Sequence, residues 1–346
     1  MRRYVVIGAG AVGGTIAGRL VRAGHEAVVV ARGPHLSAVQ RQGLHLRTPD
    51  FDEQIPVRAI GGPQELELNA DDVLVLATKT HQAHAALAQW ADARVEAGTR
   101  TLTAATALPV LTMMNGVAGE RIALRYFDRV IGVCLWLPAL HLHPGHVISR
   151  GTPNSGSLHM ARYPAARSTT ADAHLLTRIA ADWGEAGFGV ERPADVMPWK
   201  YHKLVSNIEN AFHAVLGAEA WSEQGPAQDI ITAAKDEARA VLQHAGIEVV
   251  GDDEEATVRH RAFRVAPVPG LPDTQLGSSS WQSLARGTGS IETDYLNGEI
   301  AMVARAHGVP APINTAIAAM ARRAAREGIG PGQVRAAALA AELNLS

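Results

Sequence analysis

One cysteine, Cys134, occurs in 346 residues, so no disulfide can staple the fold, and that usage fits a reducing cytoplasm. Neither sign of charge is in surplus: 32 Lys and Arg face 34 Asp and Glu, a formal net charge of −2. That balance excludes a general nucleic-acid binder, which needs basic residues to neutralise phosphates. No run of about eighteen uninterrupted apolar residues occurs, which argues against a membrane span. Met1-Arg2-Arg3 followed by apolar residues has the outline of a signal peptide. Glycines break that run after Ile7, however, and a strand, a turn and a helix account for every residue there. With 47% hydrophobic and 19% charged residues, the chain is an ordinary globular sequence long enough for two domains.

What is present begins with Tyr4-Val5-Val6-Ile7 running into Gly8-Ala9-Gly10-Ala11-Val12-Gly13. An apolar strand that ends in G-x-G-x-x-G and enters a helix is a phosphate cradle. The first glycine makes the tight turn, the second admits a pyrophosphate to the backbone, and the third seats the helix on its strand. The second strand, Ala27 to Ala31, leads into Arg32-Gly33 with no acid at its tip. An Asp or Glu there would hold the ribose 2′-hydroxyl of NAD, whereas an arginine suits the 2′-phosphate of NADPH. Gly8, Ala9, Gly10, Ala11, Val12, Gly13 and Arg32 are therefore the predicted cofactor residues.

Alternating apolar strands and helices predict a doubly wound α/β domain of Rossmann type. Its strands include 72–79, ending at Lys79, and 108–114, ending in Asn115-Gly116; ligands bind at such carboxyl ends. A strand pair is expected in 44–60 and a hairpin turn at His143-Pro144-Gly145-His146. The composition changes near residue 194, which predicts a nucleotide-binding domain over 1–193 and an all-α substrate and dimerisation domain over 194–346. Helices are expected at about 199–217, 226–246, 280–308 and 312–327, with one more in 331–346. Val265 to Pro272 is too proline-rich for a helix and reads as an ordered loop. His141-x-His143-x-x-His146 reads as a turn with exposed imidazoles rather than a metal site, because no further ligand completes it. Cys134, in an apolar run, reads as a core residue.

In the helical half, Lys203, Asn207 and Asn210 are spaced to share one helix face. A lysine flanked by amides there can be a proton donor to a polar substrate, or a solvated surface lysine. Lys200 lies one turn away and competes for the role. Ser278, Ser279 and Ser280 either cap a helix or present hydroxyls to a carboxylate; Glu292 and Asp294 follow.

Taken in order, these residues resemble the ketopantoate reductase family over nearly the whole chain. The resemblance runs through Gly8-x-Gly10-x-x-Gly13, Lys79 with Gln82, Asn115-Gly116 and Pro144-Gly145. It continues through Trp199-x-x-x-Lys203-Leu204-x-x-Asn207, Ser279, and Glu292-x-Asp294-Tyr295-x-Asn297-Gly298. It implies NADPH-dependent reduction of a small 2-oxo acid, ketopantoate to pantoate, in pantothenate biosynthesis, by a cytoplasmic homodimer. By that resemblance Arg32 and Lys79 grip the 2′-phosphate with Gln82 nearby, and Asn115 contacts nicotinamide ribose or substrate. Lys203 matches the general acid, Asn207 and Ser279 hold the substrate, and Glu292 orients lysine, substrate or ribose. The family's second substrate asparagine falls on Ala211, with Asn210 one place earlier, about 100° away on a helix. Its acid after the serines falls on Ser283, an extra residue lies within 285–290, and the loop at 262–279 is long. These departures all fall on the substrate side, which keeps two alternatives open. One is a related dehydrogenase of another keto or imino acid, and the other is a non-catalytic NADPH sensor.

Overall fold

Runs of Val, Ile and Leu with no polar face, such as Val73–Leu76, are buried on both sides, as strands of a helix-covered parallel sheet must be. The computed structural model describes residues 2–222, 224–271, 277–287 and 289–343. The chain divides into two compact units, Met1–Trp199 with Gly251–Asp273, and Lys200–Val250 with Thr274–Ser346.

The first unit is built on an eight-stranded sheet. Its strands, in spatial order, are Gly189–Glu191, Ser157–Tyr163, Arg129–Trp136, Pro109–Thr112, Val73–Leu76, Arg3–Ile7, Glu26–Val30 and Arg58–Ile60. All neighbours are parallel except Arg129–Trp136 against Ser157–Tyr163. The order reverses between Arg3–Ile7 and Val73–Leu76, and a ligand crevice forms at such a switch point. The strands expected in 44–60 and around 143–146 join one four-stranded sheet with the order Ala139–His143, His146–Ser149, Leu44–Arg47, Asp52–Ile55. It lies against the helix Ala11–Arg22 at glycines: a Cβ on Gly14 would sit 2.7 Å from Val147 Cγ2, and one on Gly18 would sit 3.0 Å from Leu46 Cδ2.

The expected second domain, 194–346, is not one stretch in space. The segment from Gly251 returns to the first unit, where Asp252–Ala262 is helical and Phe263–Val265 pairs antiparallel with Gly151–Pro153. The pairing satisfies backbone groups that an edge strand would otherwise leave open. Val265, the start of the expected loop, is thus in a strand, and Pro272 lies outside the described residues, as do 272–276 of the long loop at 262–279.

The second unit is helical. Pro226–His244 and Pro312–Glu327 match their expected spans. Two expected helices are divided. The first is interrupted at Ile208 into Met197–Asn207 and Glu209–Leu216. The 280–308 segment consists of Ser279–Ala285, a tight turn at Glu292–Tyr295, and Asn297–His307. Gly287 and Gly289 between the pieces take φ of +60° and +68°, which ends a helix. Thr288, within the segment that carries the extra residue, is outside the described residues. The tail helix is Ala336–Glu342. No helix among the described residues is long and apolar enough to cross a membrane.

Candidate functional site

Each glycine of the turn at the switch point has a separate steric reason. Gly8 takes φ +105°, and a Cβ there would lie 2.8 Å from the Ala77 carbonyl oxygen, beyond the neighbouring strand. A Cβ on Gly13 would fall 1.8 Å from the Gly8 carbonyl oxygen, so the helix is seated directly on the turn. Around Gly10 a Cβ would meet no atom within 4 Å. The turn is therefore open to a ligand at the position where a pyrophosphate needs backbone access. Gly10 caps the helix Ala11–Arg22, whose first turn holds no acid to offset its positive end.

Sequence reasoning passed over Thr78. Its hydroxyl is buried with no hydrogen-bond partner among the described residues, and its amide nitrogen is 3.1 Å from the hypothetical Gly8 Cβ. A buried hydroxyl without a partner is costly, and here it lies where a bond from a ligand group could complete it. The available signal was position: Thr78 follows a strand's carboxyl end at the switch point. An open glycine turn, a helix N-terminus and an orphaned hydroxyl together fit the phosphates and ribose of a dinucleotide.

Arg32, Lys79 and Asn115 follow the carboxyl ends of Glu26–Val30, Val73–Leu76 and Pro109–Thr112, three strands of one parallel set. Arg32 is exposed and caps the helix Gly33–Gln42; Lys79 is half-buried and caps the turn Thr80–Gln82; Gln82 is exposed and Asn115 half-buried. Two cations on this side suit a phosphate better than a hydroxyl. Among the described residues, no group of three or more His, Cys, Asp or Glu could hold a metal ion. His143 and His146 are exposed and His141 is half-buried. His141 stacks edge-on against His35 at 4.5 Å, and His146 Nδ1 lies 2.9 Å from His45 Nδ1.

In the second unit Lys200 and Lys203 are both buried, so burial alone does not choose between them. The Asn207 amide nitrogen, one turn after Lys203, is buried without a hydrogen-bond partner among the described residues. Asn210 lies past the interruption at Ile208, and its carbonyl oxygen accepts from Ser278 Oγ at 3.2 Å. Ser278 caps the helix Ser279–Ala285, its oxygen accepting from the Trp281 amide, which leaves Ser279 as the first helical residue. Ser283 donates to the Ser279 carbonyl oxygen at 3.0 Å, turned onto its own helix. Glu292 is buried, whereas Asp294 is exposed and paired with Arg322. Asn297, part of the resemblance but given no role there, donates to the Ile208 carbonyl oxygen at 3.1 Å and to Asn314 Oδ1 at 3.0 Å. It thereby satisfies a carbonyl at the interruption that follows Asn207.

The family described as Ketopantoate reductase PanE/ApbA matches residues 4–164, and its C-terminal domain matches residues 195–325. A 2-dehydropantoate 2-reductase of Pyrococcus horikoshii is 24% identical over 95% of this chain and 99% of its own length. One from Mesorhizobium japonicum is 40% identical, over 33% of this chain and 32% of its own. The crystal structure of a PanE/ApbA family ketopantoate reductase from Ralstonia eutropha JMP134 is 28% identical, with a TM-score of 0.74 over 95% of this chain and 99% of that one. A D-mandelate dehydrogenase solved with NADH and anilino(oxo)acetate shares the fold, at 19% identity and a TM-score of 0.76 over 94% of this chain and 99% of its own. Both parts of the family pattern are matched in order, on a mixed α/β sheet unit and a helical unit, and the chain belongs to the ketopantoate reductase PanE/ApbA family of oxidoreductases acting on CH–OH groups.

Proposed function

We propose that the chain reduces a small 2-oxo acid to the 2-hydroxy acid, ketopantoate to pantoate in the first instance, with NADPH as reductant and Lys203 as proton donor. The observation that carries this reading is the buried Lys203 one helical turn before the orphaned Asn207 amide. Ammonium and amide are both donors, and an acceptor-rich ketone with an adjacent carboxylate is what two buried donors suit. NADPH supplies the hydride when bound. Gly8, Gly10 and Gly13 would hold its pyrophosphate, Arg32 and Lys79 its 2′-phosphate with Gln82 nearby, and Thr78 and Asn115 its ribose end. Lys203 would protonate the ketone oxygen, Asn207 and Asn210 would orient the substrate, Ser279 would take its carboxylate, and Glu292 would align lysine or ribose. The single cysteine, Cys134, supports a cytoplasmic setting, and the family resemblance supports a homodimer.

A second reading keeps the reaction and changes the acid. Ala211 stands where the family pattern has an asparagine and Ser283 where it has an acid, so the substrate side departs from the pattern at two positions. Turnover of NADPH with ketopantoate and a panel of 2-oxo acids separates the two. Ketopantoate is expected to give the highest kcat/KM, and Lys203→Ala is expected to lower kcat with every active acid by at least ~100-fold. Preference for another acid selects the second reading. No turnover despite cofactor binding overturns both, and near-normal rates in Lys203→Ala overturn the proton-donor role.

A further inference from the structure

His35 stands in the first turn of the helix that Arg32 caps, and its ring makes two hydrogen bonds to backbone. Nε2 lies 2.8 Å from the Ala9 carbonyl oxygen, and the Gly145 amide donates to Nδ1 at 2.8 Å. We propose that His35 is a positioning residue for the cofactor: its neutral imidazole ties the Ala9–Gly10 peptide of the glycine turn to the 143–146 hairpin turn and so fixes the backbone that a pyrophosphate meets. The inference rests on reading the glycine turn as a dinucleotide site.

The chemistry is restrictive. A carbonyl oxygen can only accept, so Nε2 carries the proton; an amide N–H can only donate, so Nδ1 must keep its lone pair. One form of the ring, neutral with Nε2–H, satisfies both contacts. The peptide bond is planar and trans, so holding the Ala9 carbonyl toward His35 sets the direction of the Gly10 N–H on the opposite side. Gly10 is the position with open space around it. The hairpin can press close because Gly145 has φ +81°, and a Cβ there would lie 3.1 Å from the Ala38 Cβ on the helix of His35. One ring therefore couples the helix start that carries Arg32, the glycine turn and the hairpin.

Protonation would place a second N–H against the Gly145 amide and break the tie. Burial is the largest cause acting on His35 and lowers its pKa below the ordinary imidazole range, while the Ala9 bond opposes that shift. The titratable group meeting the ring is His141; His143 and His146 flank the hairpin turn, Arg32 caps the helix, and the glycine turn contributes no titratable side chain. The neutral form therefore holds at neutral pH and is lost in acid.

The test is NADPH binding to the full chain by fluorescence titration from about pH 8 to about pH 5, comparing wild type, His35→Ala and His35→Gln. Melting of each apo protein is recorded alongside. Relative to wild type, His35→Ala is expected to bind about tenfold more weakly at about pH 8 and to lose less affinity on acidification. His35→Gln retains a donor and an acceptor but has no titrating proton. It is expected to bind more tightly than His35→Ala, to show the flatter profile, and to carry the test if His35→Ala does not fold. Comparison with wild type cancels the titration of the 2′-phosphate itself. Wild-type affinity and wild-type pH dependence in a folded variant overturn the proposal. Absence of binding to the wild type overturns the cofactor reading and this inference together.

Discussion

At the scale of single residues, Gly10 and Gly13 answer to different constraints, as their places in the motif imply. A Cβ on Gly13 would overlap the Gly8 carbonyl oxygen at 1.8 Å, and backbone cannot rotate away as a side chain can. Gly13→Ala is expected to destabilise by about 2 kcal/mol or more. Gly10 has φ −70° and open surroundings, so Gly10→Ala should change stability by less than about 1 kcal/mol. It should nonetheless weaken NADPH about tenfold, because the new methyl occupies the phosphate's approach. Urea midpoints and cofactor titrations on both variants check the contrast, and equal effects on binding at equal stability would contradict it.

His159 gives a residue-scale prediction about acid. Its ring stacks on Trp199 at 4.0 Å, and neither nitrogen has a hydrogen-bond partner among the described residues. Burial pushes this imidazole down to about 4 from an ordinary 6.5. Below about pH 6.5 the unfolded chain takes up the proton and the folded chain does not, so stability falls as pH drops from there toward about 4. At about pH 5 the loss is about 2 kcal/mol relative to neutral pH. Denaturant unfolding of His159→Phe should lack that component while keeping the stack on Trp199. None of this was legible beforehand, because a histidine in a strand has no sequence mark separating an exposed ring from a buried one.

At the scale of elements, two helices that the sequence periodicity suggests are each divided. The break at Ile208 exposes a carbonyl that fully buried Asn297 satisfies, and the same amide reaches Asn314. Asn314 in turn donates to the Ala234 carbonyl oxygen at 2.9 Å, which carries the tie to Pro226–His244. Asn297→Ala is expected to cost about 1–3 kcal/mol, since it leaves buried acceptors without donors. Asp294, three residues earlier in the same motif, makes an exposed ion pair with Arg322, and Asp294→Ala should change stability by less than about 1 kcal/mol. Denaturant midpoints of the two variants separate an anchoring residue from a surface one. Lys203 and Asn207 do share one helix, as their spacing implies. Asn210 lies past the interruption at Ile208, which local periodicity does not record.

At the scale of the molecule, the cofactor is a question of linkage as well as of contacts. A ligand that binds the folded state alone, present at a hundred times its Kd, adds about 2.7 kcal/mol of stability. NADPH is expected to raise the melting temperature of the wild type more than equal NADH does, and Arg32→Asp is expected to remove that difference. Equal responses to both cofactors in wild type and variant would sink the 2′-phosphate role of Arg32. The same scale explains the return of 251–273 to the first unit. The Asn154 amide donates to the Ala262 carbonyl oxygen at 2.8 Å, and a Cβ on Gly189 would sit 2.7 Å from the Ala262 Cβ. A domain limit drawn along the chain has no means of registering such a return.

The sequence by itself determined the α/β unit, the glycine turn, the strand ends that carry Arg32, Lys79 and Asn115, and the family. Strand burial, φ-dependent turns and carboxyl-end sites are written in residue type and short-range order, which the sequence states directly. Only the tertiary structure decided that Thr78 and Asn207 hold buried polar atoms without partners among the described residues, that His35 bridges the glycine turn to a hairpin a hundred residues away, and that His159 is buried. Those properties depend on what packs around a side chain, and its neighbours come from segments far apart in the chain.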